Sequence, residues 1–331
     1  MSDIIDLLSV GDTTYDTFVS PTESDAMCTI NDKESFICFS YGDKIPVSNL
    51  EFSVGGNAAN NAMGTKRLGI HSALITTFGD DTVGNLIWEK LQKENIELSM
   101  VTRQKDTESN YSMVINYSGE RTIFTYRPTL NYVFPTTAPA VSWMYLTSMA
   151  EGYESFYEAA VTWLDAHPYT KLAFNPGSRQ VRAGAQALAG VLSHTHVLFV
   201  NREEAEKLTG IAASPGNEKA LLAGLRQLGV KTAIITDGGN GSFVDDGSQV
   251  LHCGVLPIDP YERTGAGDAF GSGTLSAMIK GKPLAEALLW GTVNSASVIG
   301  YTGSQKGLLR DSEISTWLER AKSSNVTVET I

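Results

Sequence analysis

The hydrophobic and polar positions of the chain alternate between short apolar runs and segments with apolar residues at helical spacing. The apolar runs are Ile4 to Gly11, Ser72 to Gly79, Trp143 to Ser148, Lys171 to Gly177, His196 to Asn201 and Thr232 to Gly239. The helical patterns include Asn57 to Leu68, Thr82 to Glu94, Glu154 to Ala166 and Asn217 to Leu228. Strands that alternate with helices predict an α/β fold, with a doubly wound, mostly parallel sheet flanked by helices.

Two stretches interrupt this alternation, Thr29 to Phe52 and Asn110 to Arg127. The second has alternating residues around a Ser-Gly-Glu turn, which is typical of an antiparallel hairpin. We expect the two stretches to pair into a small β-sheet that acts as a lid over a ligand site. Because no linker or repeat divides the sequence, residues 1–331 are predicted to form one domain, with the lid at about 29–52 and 110–127.

Composition and charge narrow the classes of partner. The formal net charge of −12 argues against nucleic acids and anionic membranes, which bind basic surfaces. The three cysteines, Cys28, Cys38 and Cys253, lack the spacing of a metal site. The first residues are acidic where a signal peptide is basic, and no apolar run is long enough to span a membrane. These features predict a cytoplasmic protein without a nucleic-acid or membrane partner.

Polar residues follow the predicted strands at the places where ligands bind in such sheets. In doubly wound folds the ligand lies beyond the carboxyl ends of the strands. The residues at these positions are Asp12, Asp16, Asn175, Asn201, Glu204 and the segment Thr236 to Gly239. The sequence therefore predicts a polar site along one edge of the sheet.

The segment Glu262 to Phe270 reads ERTGAGDAF, so three small residues stand directly before Asp268. A helical pattern runs from Asp268 to Lys280, which places this acid at a helix N-terminus. Such a terminus has unpaired N–H groups and a positive dipole end, and it favours an anion such as a phosphate. A cap-region acid without catalytic function is the alternative.

Other nucleotide-binding patterns are absent from the sequence. A dinucleotide-binding G-x-G-x-x-G motif that begins at Gly265 would need glycine at position 270, where the chain has Phe270. The chain also lacks a Walker A loop and the catalytic-loop and DFG signatures of protein kinases. Any phosphate chemistry here must use a different arrangement.

Four motifs resemble those of the PfkB family of carbohydrate kinases, the ribokinase-like kinases. The segment Gly55 to Gly69 is similar to the N-terminal signature of the family, and Arg263 to Gly273 is similar to its C-terminal signature. Asn201 to Gly210 resembles its Asn-x-x-Glu element, and Thr236 to Gly241 resembles its nucleotide loop. The resemblance implies a ribokinase-like fold and transfer of the γ-phosphoryl group of ATP to a hydroxymethyl group of a small carbohydrate.

The resemblance also implies roles for individual residues. Asp268 matches the general base, and Gly265, Ala266 and Gly267 match the anion hole for the transferred phosphoryl group. Glu204 matches a residue that organises Mg²⁺ through water. The positions that match nucleotide contacts are Asn201, Thr236, Gly238, Gly241 and Asn294. The positions that match or suit acceptor contacts are Asp16, Gly55, Gly56, Asn60 and, for a carboxylate, Arg127.

Two departures from the family pattern bear on cofactor and substrate. Many ribokinases have Asp-Thr-Thr before the small turn, at the site of a monovalent cation such as K⁺, and this chain has Glu262, Arg263 and Thr264. Asn57 stands in place of the lysine of the ribokinase GGKGAN motif. The acceptor therefore stays open between a sugar of the ribokinase or fructokinase type, a nucleoside such as adenosine, and a 2-keto-3-deoxy sugar acid.

A non-enzymatic regulator on the same fold is a further alternative, and it predicts loss of the base at position 268, where the chain has aspartate. The lid suggests an assembly as well. In Ser35 to Gly42, alternate side chains point to opposite faces, and only one face can close on a sugar. We expect the other face to pair with a second subunit in a homodimer.

Overall fold

The computed structural model of the chain describes residues 5–22, 27–30, 35–117 and 120–331. The strands are β1 (Leu7–Val10), β2 (Thr14–Pro21), β3 (Met27–Ile30), β4 (Ser35–Cys38), β5 (Val47–Gly55), β6 (Ser72–Ile75), β7 (Thr77–Gly79), β8 (Thr102–Gln104), β9 (Tyr111–Tyr117), β10 (Glu120–Tyr126), β11 (Trp143–Thr147), β12 (Lys171–Asn175), β13 (Thr195–Asn201), β14 (Thr232–Thr236), β15 (Ser242–Asp245), β16 (Val250–Cys253) and β17 (Val328–Thr330).

The helices are α1 (Asn57–Arg67), α2 (Thr82–Lys93), α3 (Tyr153–Ala166), α4 (Ser178–Ala187), α5 (Ala189–His194), α6 (Arg202–Thr209), α7 (Glu218–Gln227), α8 (Ala266–Ile279), α9 (Leu284–Val298) and α10 (Asp311–Ser323). Local sequence explains their ends. At the start of α2, for example, the Asp81 side chain accepts a hydrogen bond from the Gly84 N–H, as an N-cap residue does. None of the helices in the described ranges has the length and apolarity needed to cross a membrane.

Within the described residues, the large central sheet has nine strands in the order β17-β16-β15-β14-β13-β12-β11-β1-β6. The six strands β6, β1, β11, β12, β13 and β14 pair in parallel in this order, and β15, β16 and β17 add an antiparallel edge. The prediction of a mostly parallel α/β sheet is therefore confirmed. The carboxyl ends of the parallel strands meet along one edge, which is where this architecture places a ligand.

The two faces of the central sheet bury separate hydrophobic clusters. Along β11, Met144 and Leu146 pack into the cluster that includes α3, α5 and α7, whereas Trp143 and Tyr145 pack into the cluster under α8 and α9. The alternation follows from the two-residue period of a strand. Helices on both faces exclude water from the sheet, and they leave the strand ends as its accessible part.

One predicted strand divides into two. Ser72 to Gly79 was predicted as a single strand, but β6 joins the central sheet and β7 pairs with β8 in a separate two-stranded sheet. Both strands are fully buried, so the apolar pattern continues across the break at Thr76. The hydrophobic pattern therefore does not reveal that β6 and β7 belong to different sheets.

The lid is a four-stranded sheet in the order β10-β9-β2-β5. The hairpin β9–β10 forms as predicted, although residues 118–119 of its turn lie outside the described residues. Both irregular stretches contribute strands to this one sheet, but β2 lies between β5 and β9, so the two stretches do not pair directly. Sequence analysis did not identify β2 as a strand.

The boundary of the first lid stretch also needs correction. The expected range, 29–52, stops short of the end of β5 at Gly55 and includes β4. In the described residues β4 pairs with β3 in a two-stranded sheet of its own, separate from the lid sheet. Residues 31–34 of this stretch lie outside the described residues. The surface of Ser35 to Gly42 is therefore not the lid surface from which we expected subunit pairing.

The two faces of the lid differ in chemistry. Asp16, Ser112 and Thr125 lie in one cross-strand row, on the face turned to the cleft at the strand ends. The opposite face is apolar and exposed, and we call it the outer lid face. Its residues are Leu50, Phe52, Met113, Phe124 and Tyr126.

Candidate active site

A cleft of about 570 Å³, the main cleft, lies beyond the carboxyl ends of the central strands. Its walls include Asn175, Asn201 and Thr236, which end three neighbouring strands, and residues of the lid. An adjoining apolar pocket of about 460 Å³ extends between α9 and the segment after β16. Ala266 and Gly267 line both spaces, so the start of α8 is their common boundary.

Helix α8 begins at Ala266, two positions before the predicted start at Asp268. Gly265 is the N-cap residue and has a left-handed φ of 77°, which glycine adopts without a steric cost. A Cβ at this position would lie 2.4 Å from the Cβ of Ser304. The helix therefore starts inside the small turn, and its first N–H groups lack intrahelical acceptors at the boundary of the two spaces.

Asp268 is held by a network of side chains from distant parts of the sequence. Asn60 Nδ2 donates to Asp268 Oδ2 at 2.8 Å. Asn60 Oδ1 in turn accepts from Ser304 Oγ and from Gln305 Nε2, both at 2.9 Å. These three contacts fix the direction of the Asn60 amide, which leaves one Asp268 oxygen directed by Asn60 and the other available to a ligand.

The structure gives Asn60 partners within the protein that its predicted role did not include. We expected a contact with a sugar hydroxyl, but the side chain is 4% exposed and its amide is engaged by Asp268, Ser304 and Gln305. Asn60 is a positioning residue for the Asp268 carboxylate. Its partners Ser304 and Gln305 were not predicted, because no local motif joins residues so far apart in the chain.

The environment of Asp268 changes its protonation. Burial raises the pKa of its carboxyl to about 6, the Asn60 hydrogen bond opposes this rise, and the negative charges of Glu204 and Asp16 add to it. A carboxyl group with a pKa near 6 is ionised at neutral pH, and it still accepts a proton more readily than an exposed aspartate does. The arrangement can therefore take a proton from a hydroxyl group in the main cleft.

Two further aspartates lie on the lid side of the main cleft. Burial raises the pKa of Asp16 to about 6, and a hydrogen bond with Ser112 opposes the rise. Burial raises the pKa of Asp12 to about 7, against the hydrogen bond that Tyr132 Oη donates at 3.0 Å. Asp16 Oδ1 is buried without a hydrogen-bond partner in the described part of the chain. Such an oxygen suits a ligand hydroxyl.

Gly55 and Gly56 connect β5 to α1 beneath these aspartates. A Cβ on Gly55 would lie 2.0 Å from Asp16 Oδ2, and one on Gly56 would lie 2.5 Å from the carbonyl oxygen of Asp12. Gly56 also has a left-handed φ of 87°. The two glycines therefore let the lid strand β2 approach the start of α1, which places Asp16 near Asn60 and Asp268.

Asn201 and Glu204 form a capping box at the start of α6. Asn201 Oδ1 accepts from the Glu204 N–H at 2.8 Å, and Glu204 Oε2 accepts from the Asn201 N–H at 2.9 Å. Both residues line the main cleft, and burial raises the pKa of Glu204. The described residues contain no group of three His, Cys, Asp or Glu side chains that could hold a metal ion. The donor set fits a metal bound mainly by phosphates and water.

The predicted nucleotide loop borders the apolar pocket. Thr236 ends β14, and Gly238 begins a 3₁₀ turn that runs to Asn240. Gly241 has a φ of 88°, and a Cβ there would lie 2.0 Å from the carbonyl oxygen of Cys253. The loop can therefore pass close to β16 only with glycine at this position, and Thr236, Gly238 and Gly241 all line the pocket.

Asn294 was predicted to contact the nucleotide, and the structure places it outside the lining of the apolar pocket. The side chain is completely buried. Asn294 Nδ2 donates to the Ala269 carbonyl at 2.7 Å, and its Oδ1 accepts from the Leu309 N–H at 2.9 Å. It joins α9 to α8 and to the segment before α10, because a buried amide must find partners within the protein.

Arg127 lies at the lid side of the main cleft, as the position after the hairpin predicts. Its guanidinium donates to the carbonyl oxygens of Tyr111 at 3.0 Å and of Tyr126 at 2.9 Å. Sequence analysis missed the arginines that share this cleft. They are Arg121, Arg179, Arg182 and Arg263. The only signal in the sequence is spacing. Arg121 and Thr125 lie an even number of residues apart on β10, and Arg179 and Arg182 lie three residues apart on α4, so each pair shares a face of its element.

Comparisons with known proteins show the family to which the chain belongs. A sequence model of the pfkB family of carbohydrate kinases matches residues 24–311. The ATP-dependent 6-phosphofructokinase of Thermoanaerobacterium thermosaccharolyticum is 27% identical over 281 residues, which cover 80% of this chain and 84% of that protein. The ribokinase of Staphylococcus aureus is 26% identical over 265 residues, with 77% and 84% covered.

A solved structure shows the shared fold. Arabidopsis thaliana ribokinase, complexed with ribose and ATP, matches with a TM-score of 0.79 at 18% identity, over 96% of this chain and 99% of that chain. The predicted ribokinase-like fold with its small lid sheet is thus confirmed. The chain belongs to the PfkB family of carbohydrate kinases, and it is a phosphotransferase that acts on a sugar hydroxyl group.

Proposed function

We propose that the protein transfers the γ-phosphoryl group of ATP to a hydroxymethyl group of a small carbohydrate, with Asp268 as general base. The observation that carries the proposal is that Asp268 lines the main cleft directly after Ala266 and Gly267, which line both the main cleft and the apolar pocket. A group transferred from one space to the other must pass this boundary. The use of ATP itself follows from membership of the kinase family.

In this proposal each residue near the start of α8 has a separate role in the reaction. Asp268 takes the proton of the acceptor hydroxyl, and Asn60 directs its carboxylate. The N–H groups of Ala266 and Gly267 stabilise negative charge on the transferred group. Asp16, beside Gly55 and Gly56, binds an acceptor hydroxyl through its free oxygen. These tasks require positioning and electrostatics, which is what phosphoryl transfer demands of a protein.

The nucleotide is assigned to the apolar pocket. Val255, Leu256 and Ile258 supply an apolar surface of the kind that a purine base needs, and Thr236, Gly238 and Gly241 lie beside it. Asn201 and Glu204 lie on the phosphate side and would act on Mg²⁺ through water, because Glu204 Oε2 is already engaged by the capping box. When bound, Mg²⁺ supplies charge neutralisation at the phosphates.

Two further parts of the proposal concern K⁺ and assembly. Glu262 is 6% exposed, its Oε2 accepts from the Gly303 N–H at 3.0 Å, and Thr264 donates to its Oε1. This carboxylate stabilises the loop before α8, and turnover measured with and without K⁺ tests activation by this cation.

We also propose a homodimer in which the outer lid face, instead of the β3–β4 hairpin, contacts the second subunit, since an exposed apolar sheet face favours pairing.

ATP turnover with a panel of acceptors tests the proposed function. The panel contains pentoses, hexoses, nucleosides such as adenosine, 2-keto-3-deoxy sugar acids and sugar phosphates. We expect ADP formation that depends on one acceptor class, and Asp268→Asn should lower kcat at least about a hundredfold, the scale of general-base catalysis. Its fold and its ATP binding should be unchanged. Turnover close to that of the wild type in this variant would remove Asp268 as the base.

A further inference from the structure

The main cleft concentrates positive charge in an acidic protein. The whole chain carries a formal charge of −12, and yet Arg121, Arg127, Arg179, Arg182 and Arg263 all line this one cleft. The acidic side chains that line it are Asp12, Glu204 and Asp268. A local excess of arginine against the net charge of the chain indicates an anionic ligand, because guanidinium groups are costly to gather without a counter-charge.

Four of these arginines come from two opposing walls. Arg121 lies on the lid strand β10 and Arg127 directly follows it, whereas Arg179 and Arg182 lie in the first turns of α4, beyond the end of β12. Residues three apart on a helix share a face, so the α4 pair points in one direction. We call these four residues the arginine cluster. The charges of Arg127 and Arg179 both act on Asp12, which places the two walls close together.

The arginine cluster is not neutralised from within the protein. Three arginines elsewhere in the described residues have acidic partners: Arg67 pairs with Glu94, Arg202 with Glu218 and Asp237, and Arg226 with Asp245. Across the described ranges, no carboxylate forms an ion pair with a member of the cluster. The acid near it, Asp12, forms no ion pair with these arginines in the described residues, and burial raises its pKa to about 7 although Arg127 and Arg179 oppose the rise. Structural ion pairing therefore does not account for the cluster.

The phosphates of ATP are a second anion for this region, but none of the four arginines belongs to the nucleotide loop or to the apolar pocket. The nucleotide loop and Arg263 border the apolar pocket, and no member of the cluster lines that pocket. The cluster is instead associated with Asp12 and with the lid, which bears Asp16. This is the side to which the proposed function assigns the acceptor.

We infer that the acceptor is a sugar phosphate whose existing phosphate group binds the arginine cluster, while its free hydroxymethyl group reaches Asp268. The inference rests on the proposed function and specifies its substrate class. A phosphate monoester has a charge of about −1.5 to −2 near pH 7 and three acceptor oxygens, which match several guanidinium groups, whereas a carboxylate is satisfied by one bidentate arginine.

The transfer step is the same as for a neutral sugar. A bond forms between the γ-phosphorus of ATP and the acceptor hydroxyl oxygen, and the bond from that phosphorus to the β,γ-bridging oxygen breaks. The hydroxyl proton goes to Asp268. The products are ADP and a sugar bisphosphate, so the cluster contributes to binding and orientation and takes no part in the bond changes.

The experiment compares matched acceptors with and without the phosphate group. Initial rates with MgATP are measured for D-fructose 6-phosphate and D-tagatose 6-phosphate against D-fructose and D-tagatose, with 2-keto-3-deoxygluconate and adenosine as further arms. We expect kcat/KM for a sugar phosphate to exceed that for the free sugar by at least about a hundredfold, the scale of two lost charged hydrogen bonds. A sugar acid or a free sugar as the preferred acceptor would overturn the inference and leave the kinase intact.

Variants of the cluster give a second readout. Arg121→Gln, Arg179→Gln and Arg182→Gln should each lower the preference for the phosphorylated acceptor about tenfold or more, and should leave the KM for ATP within about twofold. Arg320→Gln on the exposed surface of α10 removes the same charge away from the cleft and should leave the preference unchanged. An equal loss with free and phosphorylated sugars in the cluster variants would argue against phosphate recognition.

Calorimetry with the Asp268→Asn variant separates recognition from turnover. We expect this variant to bind D-fructose 6-phosphate or D-tagatose 6-phosphate and to bind the corresponding free sugar at least about tenfold more weakly. If binding follows this order but no acceptor supports turnover by the wild type, the proposed kinase activity fails while phosphate recognition stands. If neither sugar phosphate binds more tightly than its free sugar, the inference fails whatever the turnover.

Discussion

Asp268, the proposed general base, accepts a hydrogen bond from one side chain, Asn60. Burial and the charges of Glu204 and Asp16 raise the pKa of Asp268, whereas the hydrogen bond from Asn60 Nδ2 lowers it. Asn60 is itself oriented by Ser304 and Gln305. The basicity of the proposed base and the direction of its carboxylate are thus set by the same contact.

The pH dependence of turnover tests this coupling. Because the base must be deprotonated, kcat of the wild type should fall as the pH drops through about 6. In Asn60→Ala the lost hydrogen bond no longer favours the carboxylate, so the pKa of Asp268 should rise and the acid limb of the kcat profile should move to higher pH. A lower kcat with an unmoved limb would mean that Asn60 contributes only to folding.

At the scale of elements, the packing of α8 against α9 supports the turn formed by Gly265 to Gly267. Asn294 on α9 donates to the Ala269 carbonyl in the first part of α8 and accepts from the Leu309 N–H. The start of α8 is also packed against Ser304, because Gly265 has no side chain. The segment that carries Ser304 and Gln305 therefore supports both the turn and Asn60.

Replacing Asn294 should reduce stability and leave nucleotide affinity nearly unchanged. Asn294→Ala removes two partners of buried backbone groups and leaves a cavity, so we expect the free energy of unfolding to fall by about 2–4 kcal/mol. Urea denaturation measures the change, with exposed Asn131→Ala as a control. At a temperature where the variant is folded, its KM for ATP should stay within about twofold of the wild type. A large rise in this KM with unchanged stability would instead support the nucleotide contact that the sequence predicts for Asn294.

At the scale of the whole molecule, the lid separates a polar face from an apolar one. Asp16 and Thr125 face the cleft, whereas Phe52, Met113 and Phe124 share a cross-strand row on the outer lid face. Phe52 and Phe124 are 59% and 57% exposed. If a second subunit contacts this outer face, as proposed, it also restrains the lid sheet that contains β2 and Asp16.

The proposed homodimer predicts a specific effect of charge on this surface. Phe124→Asp should shift the protein towards monomer in sedimentation velocity experiments at micromolar concentration, since burying an unpaired carboxylate at an interface is costly. The KM for the acceptor should rise more than the KM for ATP, because the lid borders the acceptor side. The matched variant Tyr41→Asp changes an exposed aromatic outside the lid sheet and should leave the assembly unchanged. A monomeric wild type would contradict the proposal.

Much of the site could be predicted because its residues lie in short, contiguous motifs. Gly55 to Gly69 and Arg263 to Gly273 each contain the turn and the polar residues that a local pattern can reveal, and the structure places both beside the cleft. Asn294 lies in a similar polar setting on a helix, but its burial depends on α8 and on the segment before α10. A pattern along one helix does not contain that information.

The sequence by itself determined the alternation of strands and helices, the mostly parallel sheet and the position of Asp268 near a helix N-terminus, because hydrophobic period and turn residues act locally. Tertiary structure alone decided that β2 enters the lid, that Asn60 contacts Asp268, and that arginines from the lid and from α4 share one cleft. The physical reason is that these contacts join residues far apart in the chain. The energy of such a contact depends on the distance between the two residues in space, and the periodicity of a single segment contains no information about that distance.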